Sequence, residues 1–380
     1  MAMDRLFHLM KEKNASDMFF AVNSPVHIKI NGNLIPINQQ KLEPEQIIGL
    51  LKEVATAEQL AELMRTNELN MGISVPKLGR FRLSAFRQRG SISAVFRFVP
   101  AVIPPLADLG LPPILAELNM EKRGLLLLVG ATGSGKSTTI AAMLDHRNEL
   151  RAGHILTLED PIEYLFKNKK SIVNQREIGS DVVDFYTALR NSMRQAPDCI
   201  LIGEIRDKET MAAALAYAQS GHLVLATLHA NNSYNALNRI ISFYPIENRA
   251  ALLQDLSSAV KAIVSQRLVR SSAGGTREAA VEVMVNTRYV ADLIEKGEIG
   301  QIKEAMEKSL SPGSQTFESA LLQLVKSGLV TQDEALANAD SATNLLWLLN
   351  NGPDKNEQLA KEAAKPADEG PSFTEFTLNN

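Results

Sequence analysis

A glycine-rich segment near the middle of the chain has the composition of a phosphate-binding loop. Gly130, Gly135, Lys136 and Ser137 stand at the spacing Gly-x-x-x-x-Gly-Lys-Ser, and glycine lets the backbone turn its N–H groups inward on phosphate oxygens. The lysine would reach the β- and γ-phosphates of a nucleotide, and the serine hydroxyl would ligate Mg²⁺. The residues that we expect to bind nucleotide here are Gly130, Ala131, Thr132, Gly133, Ser134, Gly135, Lys136, Ser137 and Thr138.

The flanking residues place this loop between a strand and a helix. Gly124 is followed by four leucines and a valine, the pattern of a buried parallel strand. Ile140, Met143 and Leu144 come after the loop at helical spacing. A helix that begins at Lys136 would add its positive dipole end to the phosphate site. A chance glycine-rich turn, the alternative, would not need this strand–loop–helix order.

A group of acidic residues follows the apolar stretch His154–Leu158, which is predicted as a strand. Glu159, Asp160 and Glu163 lie within five positions. So many carboxylates beside a strand are costly unless they meet a cation, a basic side chain or water. A surface turn would also explain them, but we favour a Mg²⁺ and water site in which Ser137 and Glu159 are metal ligands.

Two further polar positions stand at the ends of apolar stretches. Glu204 follows Ile200–Ile202, and an acid in that position of a phosphate-loop NTPase holds Mg²⁺ through water or polarises the attacking water. We favour water activation for Glu204 and keep it as a metal-site candidate; an ordinary exposed acid is the alternative. The stretch Leu223–Leu228 lies between His222 and His229. His229, at its carboxyl end, is a candidate γ-phosphate sensor, although either histidine alone could be structural.

Residues 1–99 have the pattern of an α+β domain whose last strands are rich in arginine. In the predicted strand Arg80–Arg87, alternation places Phe81, Leu83 and Ala85 on one face and Arg80, Arg82 and Ser84 on the other. These arginines form either a solvated face or a phosphate-binding set, because guanidinium donors match phosphate oxygens. The spacing does not decide which of them take part, or whether they serve their own nucleotide or a neighbour's. The arginines concerned are Arg80, Arg82, Arg87, Arg89 and Arg97.

Composition divides the rest of the chain into four segments. Proline-rich 100–113 is predicted as a linker and hinge. Residues 114–270 alternate strand and helix, which predicts an α/β core with a parallel sheet covered on both faces. Residues 271–350 are predicted as a helical region. Residues 351–380 have few large apolar side chains, so we expect a disordered tail.

The overall composition argues against several classes of protein. A net charge of −3 and a pI near 6.1 give no general attraction to nucleic acid. The single cysteine, Cys199, excludes a disulfide framework and a multi-cysteine zinc site. No apolar run approaches the roughly 20 residues of a membrane span, and the first residues lack the apolar core of a signal peptide. We therefore expect a cytoplasmic protein that would reach a membrane machine only through partners.

Four segments together resemble those of secretion and type IV pilus motor ATPases, most closely the PilT/PilU-type pilus retraction ATPases. They are GATGSGKST, TLEDPIEY, ILIGEIRDKET and SGHLVLATLHA, which correspond to the Walker A, Asp box, Walker B and His box of that family. The resemblance implies a PAS-like N-terminal domain, a RecA-like core and a hexameric ring that binds ATP and Mg²⁺ between domains and subunits. It also implies phosphate-contacting roles for Arg82 and Arg97, catalytic roles for Glu163 and Glu204, and a sensor role for His229.

Two differences from the motifs of related ATPases narrow the choice among the branches of the family. Extension and type II secretion ATPases of the superfamily carry a four-cysteine zinc insertion, which one cysteine cannot form. The retraction motif AIRNLIRE of PilT corresponds here to YVADLIEK at Tyr289–Lys296, with a changed charge pattern. The segments GSQTFESALLQL and ADSATNLLWLL, and the long charged tail, resemble the PilU branch. That branch implies an accessory ATPase that works with PilT and the pilus platform protein at the inner membrane.

Other functions remain open at this point. A conjugative type IV secretion or DNA-transfer ATPase would share the core. A nucleotide-binding partner that hydrolyses ATP poorly would act by docking onto an active hexamer. A RecA-like recombinase would need basic DNA-binding loops, which the acidic pI disfavours. A small-molecule kinase would not need the arginine-rich first domain.

Overall fold

The computed structural model describes residues 2–30, 32–76, 78–99, 102–308 and 313–351. The strands among them are β1 Asp17–Phe20, β2 His27–Ile30, β3 Asn33–Pro36, β4 Glu68–Val75, β5 Gly79–Gln88, β6 Ser91–Val99, β7 Gly124–Val129, β8 Gly153–Glu159, β9 Ser171–Glu177, β10 Cys199–Ile202, β11 Leu223–Leu228, β12 Val260–Arg270 and β13 Arg277–Val285. The α-helices are α1 Ala2–Glu12, α2 Pro44–Lys52, α3 Ala57–Thr66, α4 Ile114–Asn119, α5 Lys136–Leu150, α6 Phe185–Ser192, α7 Lys208–Gln219, α8 Ser233–Ser242, α9 Arg249–Ala259, α10 Arg288–Lys296, α11 Ile302–Lys308, α12 Phe317–Lys326, α13 Gln332–Asn338 and α14 Ala342–Asn351.

The first six strands form an antiparallel sheet in the order β3-β2-β1-β6-β5-β4. Helices α1 to α3 share one hydrophobic core with its apolar face. In that core the ring of Phe7 stacks on Phe81 at a centroid distance of 4.1 Å and meets Phe96 edge-on at 5.6 Å. Phe81 is fully buried, as the alternation along β5 predicts. Arg80 and Arg82 of β5 and Arg97 of β6 are left on the opposite face of the sheet.

The second sheet has seven strands in the order β13-β12-β7-β11-β10-β8-β9. All neighbours are parallel except β12 and β13. Helices cover both faces, as predicted. Along β7, Leu125 and Leu127 enter one hydrophobic cluster, while Leu126 and Leu128 enter another. An uninterrupted apolar run is what a strand buried on both faces requires.

The structure corrects the prediction that residues 271–350 are helical. Residues Arg277–Val285 form β13, which pairs antiparallel with β12 and completes the core sheet. A boundary at residue 270 would therefore divide a hairpin. Most of β13 is buried, so it lacks the polar alternation that marks an exposed strand, and its glutamates and alanines favour a helix. The helices predicted after it are present as α10 to α14.

Two predicted segments fall on residues outside the described parts of the chain. The predicted linker 100–113 includes Pro100 and Ala101, which are outside them; within 102–113, residues Leu106–Leu109 form a short 3-10 helix. The predicted tail lies outside the described residues from 352 onward. The hinge and the disordered tail therefore stay predictions.

Cys199 offers a probe of the core sheet. It begins β10, is fully buried, and burial raises the pKa of its thiol to about 11. At pH 8 only about a thousandth of such thiols would be ionised. We expect a thiol reagent to label the native chain at well under a hundredth of the rate seen in concentrated urea, measured by mass spectrometry. Equal rates in the two conditions would contradict the buried position of β10.

Candidate functional site

The order of the core strands brings four chain segments to one edge of the sheet. Strands β7, β11, β10 and β8 are consecutive neighbours and parallel, so their carboxyl ends lie side by side. The segments that follow them contain the glycine-rich loop, His229, Glu204 and the acidic residues. They enclose a cavity of about 230 Å³. Its lining includes Thr132, Lys136, Ser137, Glu159, Asp160, Glu163, Tyr164, Glu204, Arg206, Thr227 and His229.

The glycine-rich loop depends on glycine at three positions. Gly130, Gly133 and Gly135 have φ values of 151°, 79° and 92°, which side-chain-bearing residues rarely adopt. A Cβ on Gly130 would also lie 2.6 Å from the carbonyl oxygen of Gln266. The amide of Gln266 accepts a hydrogen bond from the Thr139 hydroxyl at 2.8 Å. Gln266 of β12 therefore packs against the glycine-rich loop and bonds to the helix that follows it.

Lys136 begins α5, and its side chain folds back onto the glycine-rich loop. Its ammonium donates to the carbonyl oxygens of Gly130 and Ala131 at 2.7 and 2.9 Å. Burial lowers the pKa of this lysine, and the negative charge of Glu204 acts in the opposite direction. Ser137, one residue further, is exposed to the cavity. A cation and a hydroxyl at the amino end of a helix form a site suited to phosphate oxygens.

The acidic residues after β8 have different environments. Glu159 ends β8, is 7% exposed, and accepts hydrogen bonds from Thr157 Oγ1 at 2.6 Å and Gln175 Nε2 at 3.2 Å. Burial raises the pKa of its carboxyl group. Asp160 and Glu163 are exposed and also line the cavity. A buried carboxylate with neutral donors alone is the kind of group that a cation would stabilise.

Glu204 is held between two basic side chains. Its Oε2 accepts from Arg206 Nε at 2.8 Å, and its Oε1 lies 3.2 Å from His229 Nε2. Arg206 Nη1 also lies 3.7 Å from Asp160 Oδ2, so this arginine bridges the ends of β10 and β8. The structure thus places all three predicted catalytic side chains, Glu204, His229 and Glu163, on one cavity.

A metal ion at this site would need ligands beyond the protein. Among the described residues there is no group of three or more His, Cys, Asp or Glu that could hold a metal. The predicted metal residues Ser137, Glu159 and Glu204 nevertheless all line the cavity. This arrangement fits Mg²⁺, which usually takes one or two protein ligands and completes its shell with water and substrate phosphates.

The two predicted phosphate-contacting arginines lie elsewhere. Arg82 and Arg97 face each other across β5 and β6, and neither lines the cavity. Arg97 Nε instead donates to Asp17 Oδ1 at 2.8 Å, where a buried aspartate meets an arginine side chain that is 63% exposed. Asp17 offsets the repulsion between paired arginines. Their proposed role toward phosphate stays a prediction.

Several polar residues at the site had no predicted role. Tyr164 shares a hydrogen bond of 2.8 Å with the Thr138 hydroxyl, joining the acidic loop, residues 159–166, to α5. Gln175 of β9 donates to the Tyr164 carbonyl oxygen at 2.7 Å and accepts from the Phe166 N–H at 2.9 Å. Tyr164 and Arg206 stand within the motifs quoted above, but β9 carries no apolar run that would have placed Gln175 beside them.

Comparison with known proteins agrees with this geometry. A family model described as Type II/IV secretion system protein matches residues 2–334 of the chain. The chain belongs to this family. The match covers most of the 380 residues, including the N-terminal sheet, the core sheet and all four segments at the cavity.

Two of the relatives are pilus ATPases. The chain is 46% identical to the type IV pilus ATPase PilU of Pseudomonas aeruginosa over 94% of its length and 93% of that protein. It is 36% identical to the pilus retraction ATPase PilT of the same organism, over 90% of the chain and the whole of that protein. These proteins confirm the PilT/PilU resemblance, and with it the prediction of an ATPase.

Solved structures confirm the fold. A crystal structure of the pilus retraction motor PilT with bound ADP superposes with a TM-score of 0.82 at 38% identity, covering 88% of this chain and 97% of that one. The ATPase DotB of Legionella pneumophila gives 0.77 at 26% identity, over 88% and 94%. The fold is an N-terminal domain followed by a RecA-like core. No helix in the described parts of the chain is long and apolar enough to cross a bilayer.

Burial of Glu159 predicts a pH dependence of stability. Because folding raises the pKa of this carboxyl above its ordinary 4.5, the folded chain binds more protons than the unfolded chain as pH rises through that interval. Wild-type stability should therefore fall relative to Glu159→Gln from pH 4.5 upward, until the folded pKa is passed. Urea unfolding of both proteins in EDTA measures this difference.

Glu149 provides the control for this experiment. Its hydrogen bond to Lys169 lowers the pKa of an exposed carboxyl, so the wild type should gain a little stability relative to Glu149→Gln as pH rises toward 4.5, and the difference between the two should stay nearly constant above that pH. A stability difference between wild type and Glu159→Gln that does not change with pH would contradict the buried, cation-free environment of Glu159.

Proposed function

We propose that the chain is an ATP-hydrolysing motor of a type IV pilus machine that promotes pilus retraction and twitching motility as a PilU-like partner of a PilT-like ATPase. The observation that carries the proposal is the convergence of Lys136, Glu163, Glu204 and His229 on one cavity. A phosphate-binding loop facing activating acids is the arrangement needed for hydrolysis of a triphosphate. The 46% identity to PilU supports the pilus assignment.

Binding of ATP begins at the glycine-rich loop. The backbone N–H groups of residues 130–138 and the Lys136 ammonium would hold the phosphate oxygens. The contacts that Lys136 makes to Gly130 and Ala131 would then be exchanged for contacts to phosphate. Mg²⁺ would be held by Ser137, with Glu159 and Glu204 as further candidates, and it supplies neutralising charge to the phosphates.

Water activation falls to the acids across the cavity. Glu204 would accept the proton of the attacking water, and His229 and Arg206 hold its carboxylate in place. Glu163, on the acidic loop, would orient the water. Fixed groups that need no rearrangement lower the barrier most effectively. His229 would also sense the γ-phosphate, since it contacts Glu204 on the same cavity.

The N-terminal sheet would supply the moving part. Arg82 and Arg97 would reach phosphates of their own or a neighbouring subunit, and Arg97 would leave Asp17 to do so. Loss of these contacts after phosphate release would let the sheet swing about residues 100–113, a hinge motion of a common kind.

The accessory role is supported by α10. Its sequence YVADLIEK differs in charge from the PilT motif, and its Tyr289 is exposed. We therefore propose that the chain works with a PilT-like ATPase and the pilus platform protein on the cytoplasmic side of the inner membrane. A conjugative type IV secretion ATPase is the second candidate, since the matching family model is described as Type II/IV secretion system protein.

Steady-state ATP hydrolysis in the presence of Mg²⁺ tests the proposed activity. Lys136→Ala should abolish nucleotide binding, and Glu204→Gln should keep binding while kcat falls by about 100-fold or more. Lys122→Ala, an exposed lysine outside the cavity, is the matched control and should leave both unchanged. If only addition of a PilT-like protein elicits turnover, the dependent role is supported. Failure to bind nucleotide in either condition would overturn the proposal.

A ring assembly is testable separately. With Mg²⁺ and ATP, Glu204→Gln should hold nucleotide and give a particle of about six times the 41.6 kDa chain mass in light scattering, because the proposed ring binds nucleotide between subunits. A monomer at every protein and nucleotide concentration tried would contradict the hexamer.

A further inference from the structure

A buried carboxylate outside the cavity joins the two sheets. Glu177 ends β9, and its side chain is 4% exposed. Arg80 Nη2, from β5 of the N-terminal sheet, donates to Glu177 Oε2 at 2.5 Å. The backbone N–H of Ile162 donates to the same oxygen at 3.1 Å. Ile162 immediately precedes Glu163, so a single oxygen atom links the N-terminal sheet to the loop that bears a proposed catalytic acid.

The site is shaped to let Arg80 reach this position. Its guanidinium crosses β4 at Gly72, where a Cβ would lie 2.6 Å from the Arg80 Cζ and 2.8 Å from its Nε. Gly72 has no positive φ, so its backbone does not require glycine. What the missing side chain provides is space for the guanidinium.

Removing the Arg80 side chain would destabilise Glu177 in its buried position. Besides the two donors on Oε2, its carboxylate accepts from Ser180 Oγ at 3.3 Å, and the Arg80 side chain is itself only 15% exposed. A buried carboxylate that loses its counter-charge must find water or move. Movement of Glu177 would release the Ile162 N–H and, with it, the acidic loop.

We infer that the Arg80–Glu177 ion pair is the contact through which the N-terminal sheet positions the acidic loop that carries Glu163. The inference rests on the proposed function and makes Arg80 and Glu177 positioning residues. In the closed arrangement the pair holds the loop at the cavity. When the sheet swings away, the pair separates and the loop loses one of its fixed points. Domain movement and water activation are thereby coupled through one ion pair.

Gly72→Ala tests this coupling without removing a charge. The new methyl group would displace the Arg80 guanidinium while both ionised side chains remain. Arg80→Gln removes the charge directly, and Arg80→Lys restores a cation. Arg87→Gln is the matched control, since Arg87 lies on the same strand but donates to Asn67 and Gly90 within the N-terminal domain.

Two readouts separate this inference from the proposed function. Hydrogen–deuterium exchange of the peptide spanning residues 160–166 should become about fivefold faster at the Ile162 amide in Gly72→Ala and Arg80→Gln, and remain unchanged in Arg87→Gln. In ATP hydrolysis, the first two variants should lower kcat about fivefold or more while KM changes less than about twofold. Arg80→Lys should recover part of kcat.

The possible outcomes are distinguishable. Unchanged exchange in both Gly72→Ala and Arg80→Gln would overturn the coupling, even if the wild type hydrolyses ATP. Faster exchange in these two variants, together with a wild type that never hydrolyses ATP, would overturn the proposed function and leave the positioning contact supported. An equal loss of kcat in Arg87→Gln would also contradict the inference, because it would show a general effect of removing an arginine from β5.

Discussion

The adjacency of four parallel strands at one sheet edge is the constraint on which the rest of the molecule depends. Because β7, β11, β10 and β8 are neighbours, residues more than 90 positions apart in the chain meet over one cavity. Ligands of open α/β sheets bind beyond the carboxyl ends of the strands. Each strand is followed by a different chemical group: the glycine-rich loop, a histidine, a glutamate and the acidic loop. Any change in strand order would separate them.

Around this edge, the polar groups of the cavity are held in place by residues that do not line the cavity themselves. Gln266 supports the glycine-rich loop, Gln175 holds the acidic loop at three points, and Glu177 ties that loop to Arg80. Such buried networks are stabilising only when every member is satisfied. A network that meets this requirement keeps the site rigid. Breaking the Arg80–Glu177 ion pair between the domains would be costly, because it leaves a buried charge without its partner.

The local elements of the site could be predicted from the sequence more fully than their arrangement relative to one another in the fold. The strand–loop–helix around Lys136 and the acids at strand ends follow from residue type and spacing, and the structure places them together. Strands β9, β12 and β13 were not predicted. Strand β9 alternates polar residues without an apolar run, β12 follows α9 with no turn between them, and β13 contains helix-favouring glutamates and alanines. The Arg80–Glu177 pair spans 97 positions, a distance over which periodicity carries no information. Arg82 and Arg97, assigned by resemblance, lie away from the cavity of this single chain, where Arg97 binds Asp17.

The central claim is that ATP is hydrolysed in the cavity between the glycine-rich loop and the acidic loop. The most direct test is a structure of Glu204→Gln determined with Mg²⁺ and ATP, because this variant should trap the uncleaved nucleotide. The account predicts a triphosphate on the backbone of residues 130–138, Lys136 moved from its carbonyl partners onto phosphate, and Mg²⁺ held by Ser137 and Glu159. A nucleotide bound elsewhere, with Lys136 still on Gly130 and Ala131, would contradict it.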